Sequence, residues 1–288
     1  MTRRAVASLV ALLATGPVFC VTAQAAGSRI ASLPGSTRAA GLGGAGVALV
    51  GDAGAIFANP AAIATVHRLA FDGSYTQFPD GAAFGAAALA LRVGRFDWGA
   101  GAEVLGAAGS AATDLLGVSS LVFRTGVVAL GGSAKYARQA PGGVTSSAWA
   151  GDAGLAIAVF DIMALGVSVQ NVGGALGSGA HLPRRTRAGF TMNYVDPEGS
   201  YRLLTTLEGQ WPDAGPAFVV VGLEGGVVTH GVGLIGRSGY AGRSATSAGS
   251  PFTVGGSVEL GHLHLDYAYH AVGAPASDTH RVGLRWTP

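Results

Sequence analysis

The sequence predicts an all-β protein: a transmembrane antiparallel β-barrel of about 14 strands, closed around an N-terminal plug that contains short helical turns. Three observations predict it. The 288 residues are 12% charged and 49% hydrophobic and include 48 glycines, whereas soluble domains carry about 25% charge and about 7% glycine. From about Arg68 onward, apolar and polar residues alternate with period two, as strands with one apolar face do. The connections between those strands take turns at being short and long, the rhythm of barrels with tight turns at one mouth and longer loops at the other. A chain so poor in charge hides its surface or meets lipid. A spanning helix needs ~20 apolar residues, and no such run follows the N-terminus. The most apolar stretch, residues 218–236, is broken by Glu224, His230 and several glycines.

Residues 1–25 read as a cleaved secretory signal. Arg3 and Arg4 form the positive region, residues 5–21 the apolar region, and Ala23-Gln24-Ala25 the small-x-small cleavage site. Cleavage there removes Cys20, the one cysteine of the chain, so neither disulfides nor thiol chemistry hold the mature protein. Phe19 occupies the place where a lipid-modified signal carries a small residue, which argues against lipidation of Cys20. Residues 26–66 form a lead-in and a plug. The plug, residues 41–64, is small, apolar and glycine-rich. Asp52 is placed to cap one short helical turn, and Asn59 followed by Pro60 to cap and begin another.

Residues 67–288 form the barrel. Leu69, Phe71, Gly73 and Tyr75 alternate with Asp72, Ser74 and Thr76, and Phe96, Trp98, Ala100 and Ala102 with Asp97, Gly99, Gly101 and Glu103. The same pattern recurs around Phe190, around Tyr267 and around Leu284. Tight connections fall at residues 92–94, 125–126, 161, 196–199, 227–229 and 261–262. Longer ones fall at 108–113, 139–146, 171–183, 239–251 and 272–278, with a middling one at 211–215. Aromatic residues such as Phe71, Phe96, Trp149, Tyr194, Trp211 and Trp286 sit mostly on the apolar face and near strand ends, where interfacial girdles belong. The expected location is the outer membrane of a Gram-negative-type bacterium, in contact with its lipid, with both termini on the periplasmic, short-turn side.

The arrangement GG-A-x-VAL-x-x-DA-x-AIF-x-NPA-x-x-A over residues 43–64 resembles the N-terminal segment of PorV/PorQ-type outer-membrane proteins. These belong to the wider superfamily of the FadL-type long-chain fatty-acid transporter, whose hatch also carries an Asn-Pro-Ala motif, here Asn59-Pro60-Ala61. Residues 166–173 (GVSVQNVG) and the C-terminal stretches 266–269 and 278–284 are similar to the same proteins. The resemblance implies a FadL-like barrel of 14 strands with an internal hatch. Two departures stand beside it: the chain is short for the family, so its external loops are reduced, and it ends Trp286-Thr287-Pro288 rather than on an aromatic residue.

Other chemistries are poorly supported. Residues 41–46 match G-x-G-x-x-G, but no strand precedes them and residues 63–67 carry no acid, so the dinucleotide reading fails. His264, Asp266 and His270 share one strand face, yet positions i and i+6 lie about 20 Å apart on a strand, which removes a shared metal. No G-x-S-x-G elbow occurs, and a net charge of +2 with no basic patch argues against nucleic acid. No enzyme activity and no cofactor are expected. The polar strand face carries Asp72, Asp97, Glu103, Arg124, Lys135, Asp152, Arg185, Arg187, Arg202, Glu208, Glu224, Arg237, Glu259, Asp266, Arg281 and Arg285, mixed signs that suggest ion-pair ladders in the lumen. Three functions stay open. One is a channel for small hydrophobic molecules, gated at Asp52, Asn59, Pro60 and Ala61, with Leu42, Val47, Leu49, Ile56, Phe57 and Ile63 shaping a greasy route. The second, implied by the PorV resemblance, is an accessory of a secretion system that receives cargo. The third is a structural barrel with an occluded lumen.

Overall fold

The sheet closes because its first and last strands pair. The strands are β1 (Leu69–Gln77), β2 (Ala83–Val93), β3 (Phe96–Gly106), β4 (Thr113–Thr125), β5 (Val128–Gln139), β6 (Ser146–Val159), β7 (Met163–Gly173), β8 (Arg185–Asn193), β9 (Tyr201–Pro212), β10 (Phe218–Thr229), β11 (Val232–Ala241), β12 (Phe252–Leu260), β13 (Leu263–His270) and β14 (Thr279–Trp286). Each pairs antiparallel with its sequence neighbours, and β1 pairs with β14 from Phe71↔Trp286 to Gln77↔His280. This is the expected all-β barrel, with 14 strands. The computed structural model describes residues 28–106, 109, 113–140, 144–160, 162–176, 181–196, 199–242, 249–271 and 278–288. The expected signal segment, residues 1–25 with Cys20, lies outside them.

Alternation puts the apolar face outward. On β1, Phe71 and Tyr75 are exposed while Ala70, Asp72 and Thr76 are buried, and on β11 exposed and buried residues alternate without a break. Tyr201 and Trp211 bracket β9 on its outer face. Ten residues at ~3.3 Å, tilted by about 40°, set them about 25 Å apart along the barrel axis. That is the height of a lipid-facing apolar band, and tilted aromatic pairs stand at both of its edges: Phe96–Phe123 at 5.4 Å near one mouth, Tyr136–Trp149 at 5.1 Å and Tyr240–Phe252 at 5.2 Å near the other.

At one mouth the strands are joined by residues 94–95, 126–127, 160–162, 194–200, 230–231 and 261–262, all but 194–200 of them two or three residues long; at the other mouth the connections run from five residues (78–82 and 213–217) to eleven (174–184). The β10–β11 turn falls at 230–231, slightly beyond the 227–229 read from the sequence. His230 (φ 52°) and Gly231 (φ 77°) supply the two positive φ angles that a tight hairpin turn demands, and Val227 and Val228 stay in the ladder.

The plug threads the lumen from mouth to mouth. Ser28 bonds Gln139 at the end of β5, and Arg29 pairs with Asp80 in the β1–β2 connection at 2.9 Å, both at the long-connection mouth. A 3-10 turn (Ile30–Ser32), helix α1 (Thr37–Gly41) and two further 3-10 turns (Ala53–Phe57 and Pro60–Thr65) follow. The plug ends where Arg92 Nη2 donates to Ala64 O at 2.6 Å, at the short-turn mouth. The expectation that both termini share the short-turn side is therefore corrected. Residue 288 follows β14 there, beside the β12–β13 turn, where Thr287 N donates to His262 O at 3.0 Å. Residue 28 stands at the opposite mouth, because the plug crosses the whole lumen before β1 begins.

Glycines on the inner wall permit this. A Cβ on Gly154 would stand 2.0 Å from Asn59 Oδ1, one on Gly166 2.1 Å from Val47 O, and one on Gly239 2.1 Å from Gly43 N. The plug backbone lies directly on the strands. On the outer face, Leu207 sits near the middle of β9 and Leu260 at the end of β12. Leu207→Arg is expected to lower unfolding free energy in lipid vesicles by about 2–4 kcal/mol and Leu260→Arg by no more than ~1 kcal/mol. Denaturant titration of both variants measures the difference.

Candidate functional site

The plug has little regular structure, so side chains hold it. Asp52 is fully buried; its Oδ1 accepts from Gly54 N at 2.8 Å, capping the Ala53–Phe57 turn, and its Oδ2 accepts from Ser36 Oγ at 2.9 Å. Ser36 in turn caps α1. Asn59 caps the next turn through Oδ1, which accepts from Ala61 N at 3.0 Å, with Pro60 in the first turn. Its Nδ2 donates to Val47 O at 2.7 Å and to Leu155 O of β6 at 3.1 Å. One amide thus ties two plug segments to each other and to the wall. Ala61 is fully buried, and a Cβ on the facing Gly131 would come within 2.7 Å of its nitrogen.

Buried ion pairs carry the rest. Arg38 of α1 donates Nε and Nη2 to the two carboxylate oxygens of Glu224 at 2.9 and 2.8 Å, and Nη1 to Val50 O at 2.9 Å. Glu224 also accepts from Arg237 Nε at 2.6 Å, Arg237 reaches Asp266 at 2.7 Å, and Asp266 meets Arg285 at 3.4 Å. A ladder therefore runs from the plug across β10, β11, β13 and β14. Glu208 of β9 takes four donors: Gly46 N and Val47 N at 2.8 and 2.9 Å, Arg187 Nε at 2.5 Å and Gln210 Nε2 at 2.7 Å. Arg187 Nη2 returns to the plug at Gly44 O, 2.6 Å.

The remaining polar residues fall at other levels of the lumen. Arg92 and Arg124 share Asp97 near the short-turn mouth at 3.3 and 2.6 Å, and Lys135 meets Asp152 at 2.7 Å. Asp72 is buried beneath the Ala53–Phe57 turn, where a Cβ on Gly54 would meet its carboxylate at 3.1 Å. Arg281 bonds Thr76 Oγ1 at 2.7 Å and the Pro34 carbonyl and lies over the Phe84 ring, while Glu103 is buried with one oxygen unpartnered among the described residues. Arg185 reaches Gln210 at 3.2 Å, and Arg202 bonds the Gly199 carbonyl near the short-turn mouth. The ladders that mixed signs suggested are present, and they join the plug to the wall as well as strand to strand. Arg38 escaped the sequence reading. Its signal was there: it is the one charged residue between Arg29 and Asp52, and a lone charge in a buried segment needs a partner.

Leu42, Val47, Leu49, Ile56 and Ile63 are almost fully buried, and Phe57 is half-buried. Leu42 and Leu49 pack with Val220, and Ile56, Ile63 and Phe57 pack against Val118 and Val122. Two cavities lie on either side of the plug, and none of these six residues lines either one. The outer, about 250 Å³, is at the long-connection mouth, between Pro34, Ala40 and Gly43 of the plug and Phe78, Tyr269 and Arg281. The inner, about 600 Å³, is at the short-turn mouth, below Arg38, Val50, Gly51 and Ala64. Helix α1 presents Ala40 to one and Arg38 to the other, so a single short helix separates them there.

No protein-family profile matches the sequence, and no curated protein does. Solved structures do match. The CymD monoaromatic hydrocarbon channel is 12% identical over 90% of this chain and 98% of its own, with a TM-score of 0.61. The Pseudomonas putida toluene transporter TodX gives 10% over 90% and 98% with 0.59, and a Pseudomonas aeruginosa FadL homologue 13% over 88% and 98% with 0.54. The fold is FadL-like. At these identities the likeness concerns the fold.

Removing one member of a buried pair costs about 3–5 kcal/mol. Glu208→Ala is expected to lose that much in unfolding free energy and to expose residues 44–47 to protease, while Leu260→Ala on the lipid face does neither. Limited proteolysis of the folded barrel checks both.

Proposed function

We propose that this chain is an outer-membrane channel for small hydrophobic molecules, with its short-turn mouth in the periplasm and residues 28–66 as the gate. One observation carries the reading: the lumen is hollow at both mouths and is closed between them by the plug, at one point by a single turn of helix. A barrel built only as a wall has no use for two cavities that meet at a removable partition. The structures that share the fold are described as hydrocarbon channels and toluene transporters, which supports this class of cargo. Within FadL-like barrels, the Asn59-Pro60-Ala61 motif supports a narrower placement with PorV/PorQ-type proteins. Neither cargo capture for secretion nor permanent occlusion has an observation of its own in its favour.

The gating claim is tested by locking α1. A Cβ on Gly283 of β14 would lie 2.8 Å from Thr37 Cβ, within about 1 Å of the ~3.8 Å that a disulfide spans, and the chain's one cysteine lies in the signal. In cells carrying Thr37→Cys with Gly283→Cys, toluene or fatty-acid uptake is expected to fall to background when oxidised and to recover on reduction. Equal uptake in the two states overturns the gate.

A further inference from the structure

Arginine collects on one side of the short-turn mouth. Arg68 precedes β1, Arg92 lies near the end of β2, Arg95 sits in the β2–β3 turn, and Arg124 stands near the end of β4. The backbone sets them side by side: Arg92 N donates to Arg68 O at 2.8 Å and Arg124 N to Arg95 O at 2.9 Å. Four neighbouring strands spaced at ~4.8 Å make the row about 15 Å wide. The carboxylate among them, Asp97, is already shared by Arg92 and Arg124 at 3.3 and 2.6 Å, and those two also hold the carbonyls of Ala64 and Gly94. Arg68 and Arg95 are exposed, and among the described residues neither has a carboxylate within ion-pair distance. The rest of this mouth differs. Its turns at 160–162, 194–200, 230–231 and 261–262 contain no arginine or lysine, and Asp161, Asp196 and Glu198 fall in them.

We propose that this row binds the phosphodiester headgroup of an anionic glycerophospholipid in the leaflet beside it, with Arg68 and Arg95 on the phosphate and the acyl chains on the wall below. That wall is apolar and faces outward: Val93, Phe96 and Phe123 are exposed, and the Phe96–Phe123 pair stands at the edge of the lipid band. An aromatic girdle lies at headgroup level, so arginines next to it meet lipid phosphates. The two-residue turns at 94–95 and 126–127 keep the row at the level of the wall's own edge, where a headgroup reaches it and a soluble acidic protein finds little raised surface. The planar fork of an arginine takes two phosphate oxygens at once, and charge-assisted hydrogen bonds are about twice as strong as neutral ones. Arg92 and Arg124, two guanidiniums on one carboxylate, add a further positive charge to the same field. Binding holds whichever way the barrel faces. Only the leaflet that supplies the lipid rests on placing this mouth in the periplasm, and the transport reading plays no part.

The test titrates the purified barrel, in a neutral detergent at low salt, with dioleoylphosphatidylglycerol and dioleoylphosphatidylcholine, which share their acyl chains. Native mass spectrometry counts the bound lipids. One arginine near an anionic lipid surface is worth about fivefold, so the two exposed ones are expected to favour phosphatidylglycerol by about 25-fold, and added salt shrinks the preference. Arg68→Gln with Arg95→Gln removes it and leaves phosphatidylcholine binding in place; the fold does not rest on either side chain. Arg138, exposed near the end of β5 at the other mouth, is the control: Arg138→Gln keeps the preference. Equal affinities in the native barrel overturn the proposal, as does a preference that survives the double variant or falls equally in Arg138→Gln. Retention of polyglutamate by the barrel without any lipid preference overturns it too, and assigns the row to an acidic protein.

Discussion

A peptide chain enclosed in a narrow lumen has no bulk water to satisfy its N–H and C=O groups, and the rest of this structure follows from that constraint. The plug's helix is five residues long and its other turns are 3-10, so most of its backbone finds no partner within itself. The wall supplies them. Glu208 accepts from Gly46 and Val47, Ser168 donates to Ala58 O at 2.8 Å, Gln170 to Phe57 O at 2.6 Å, and Thr253 serves both Gly41 and Gly43. The scarce charge of the sequence is therefore placed largely on one face of the strands, where plug groups require it. The outer face carries little charge, with Arg138, exposed near the end of β5, as an exception close to the mouth.

The anchors divide the plug between two walls. Asn59 and Ala61 sit against β5 and β6, while α1 is held by Glu224 on β10 and lies chiefly against β12 and β13. Residues 44–47 lie between, on Glu208 of β9. A plug fastened on opposite sides keeps one register. α1 and the Asn59 turn are held on different strands.

Much of this was legible in the residues. Period-two alternation and alternating connection lengths gave the barrel and its strand number, because each strand must show opposite faces to lipid and lumen. Asp52 and Asn59-Pro60 announced their caps, since those chemistries have few other uses ahead of a helical turn. What could not be read is which charge meets which. Glu224 and Arg38 are 186 positions apart, and their pairing depends on the path of the plug, which no local pattern encodes. The mouth at which residue 28 lies was hidden for the same reason. The cavities too were invisible, because an alanine that leaves a hollow and a glycine that admits a backbone both read simply as small.

The way the carboxylate latches are built bears on whether the partition can open. Breaking a lone buried ion pair strands a charge in a low dielectric, which is what makes such pairs so costly to part. Neither latch here is a lone pair. If α1 withdraws, Arg38 keeps its bond to Val50 O within the plug, and Glu224 keeps Arg237 at 2.6 Å. If residues 44–47 withdraw, Glu208 keeps Arg187 and Gln210. On both strands the carboxylate left behind remains paired within the wall, so release exchanges plug contacts for water without orphaning a wall carboxylate. With the plug in place, the same second partner satisfies the remaining lone pairs of each carboxylate, as a buried pair requires.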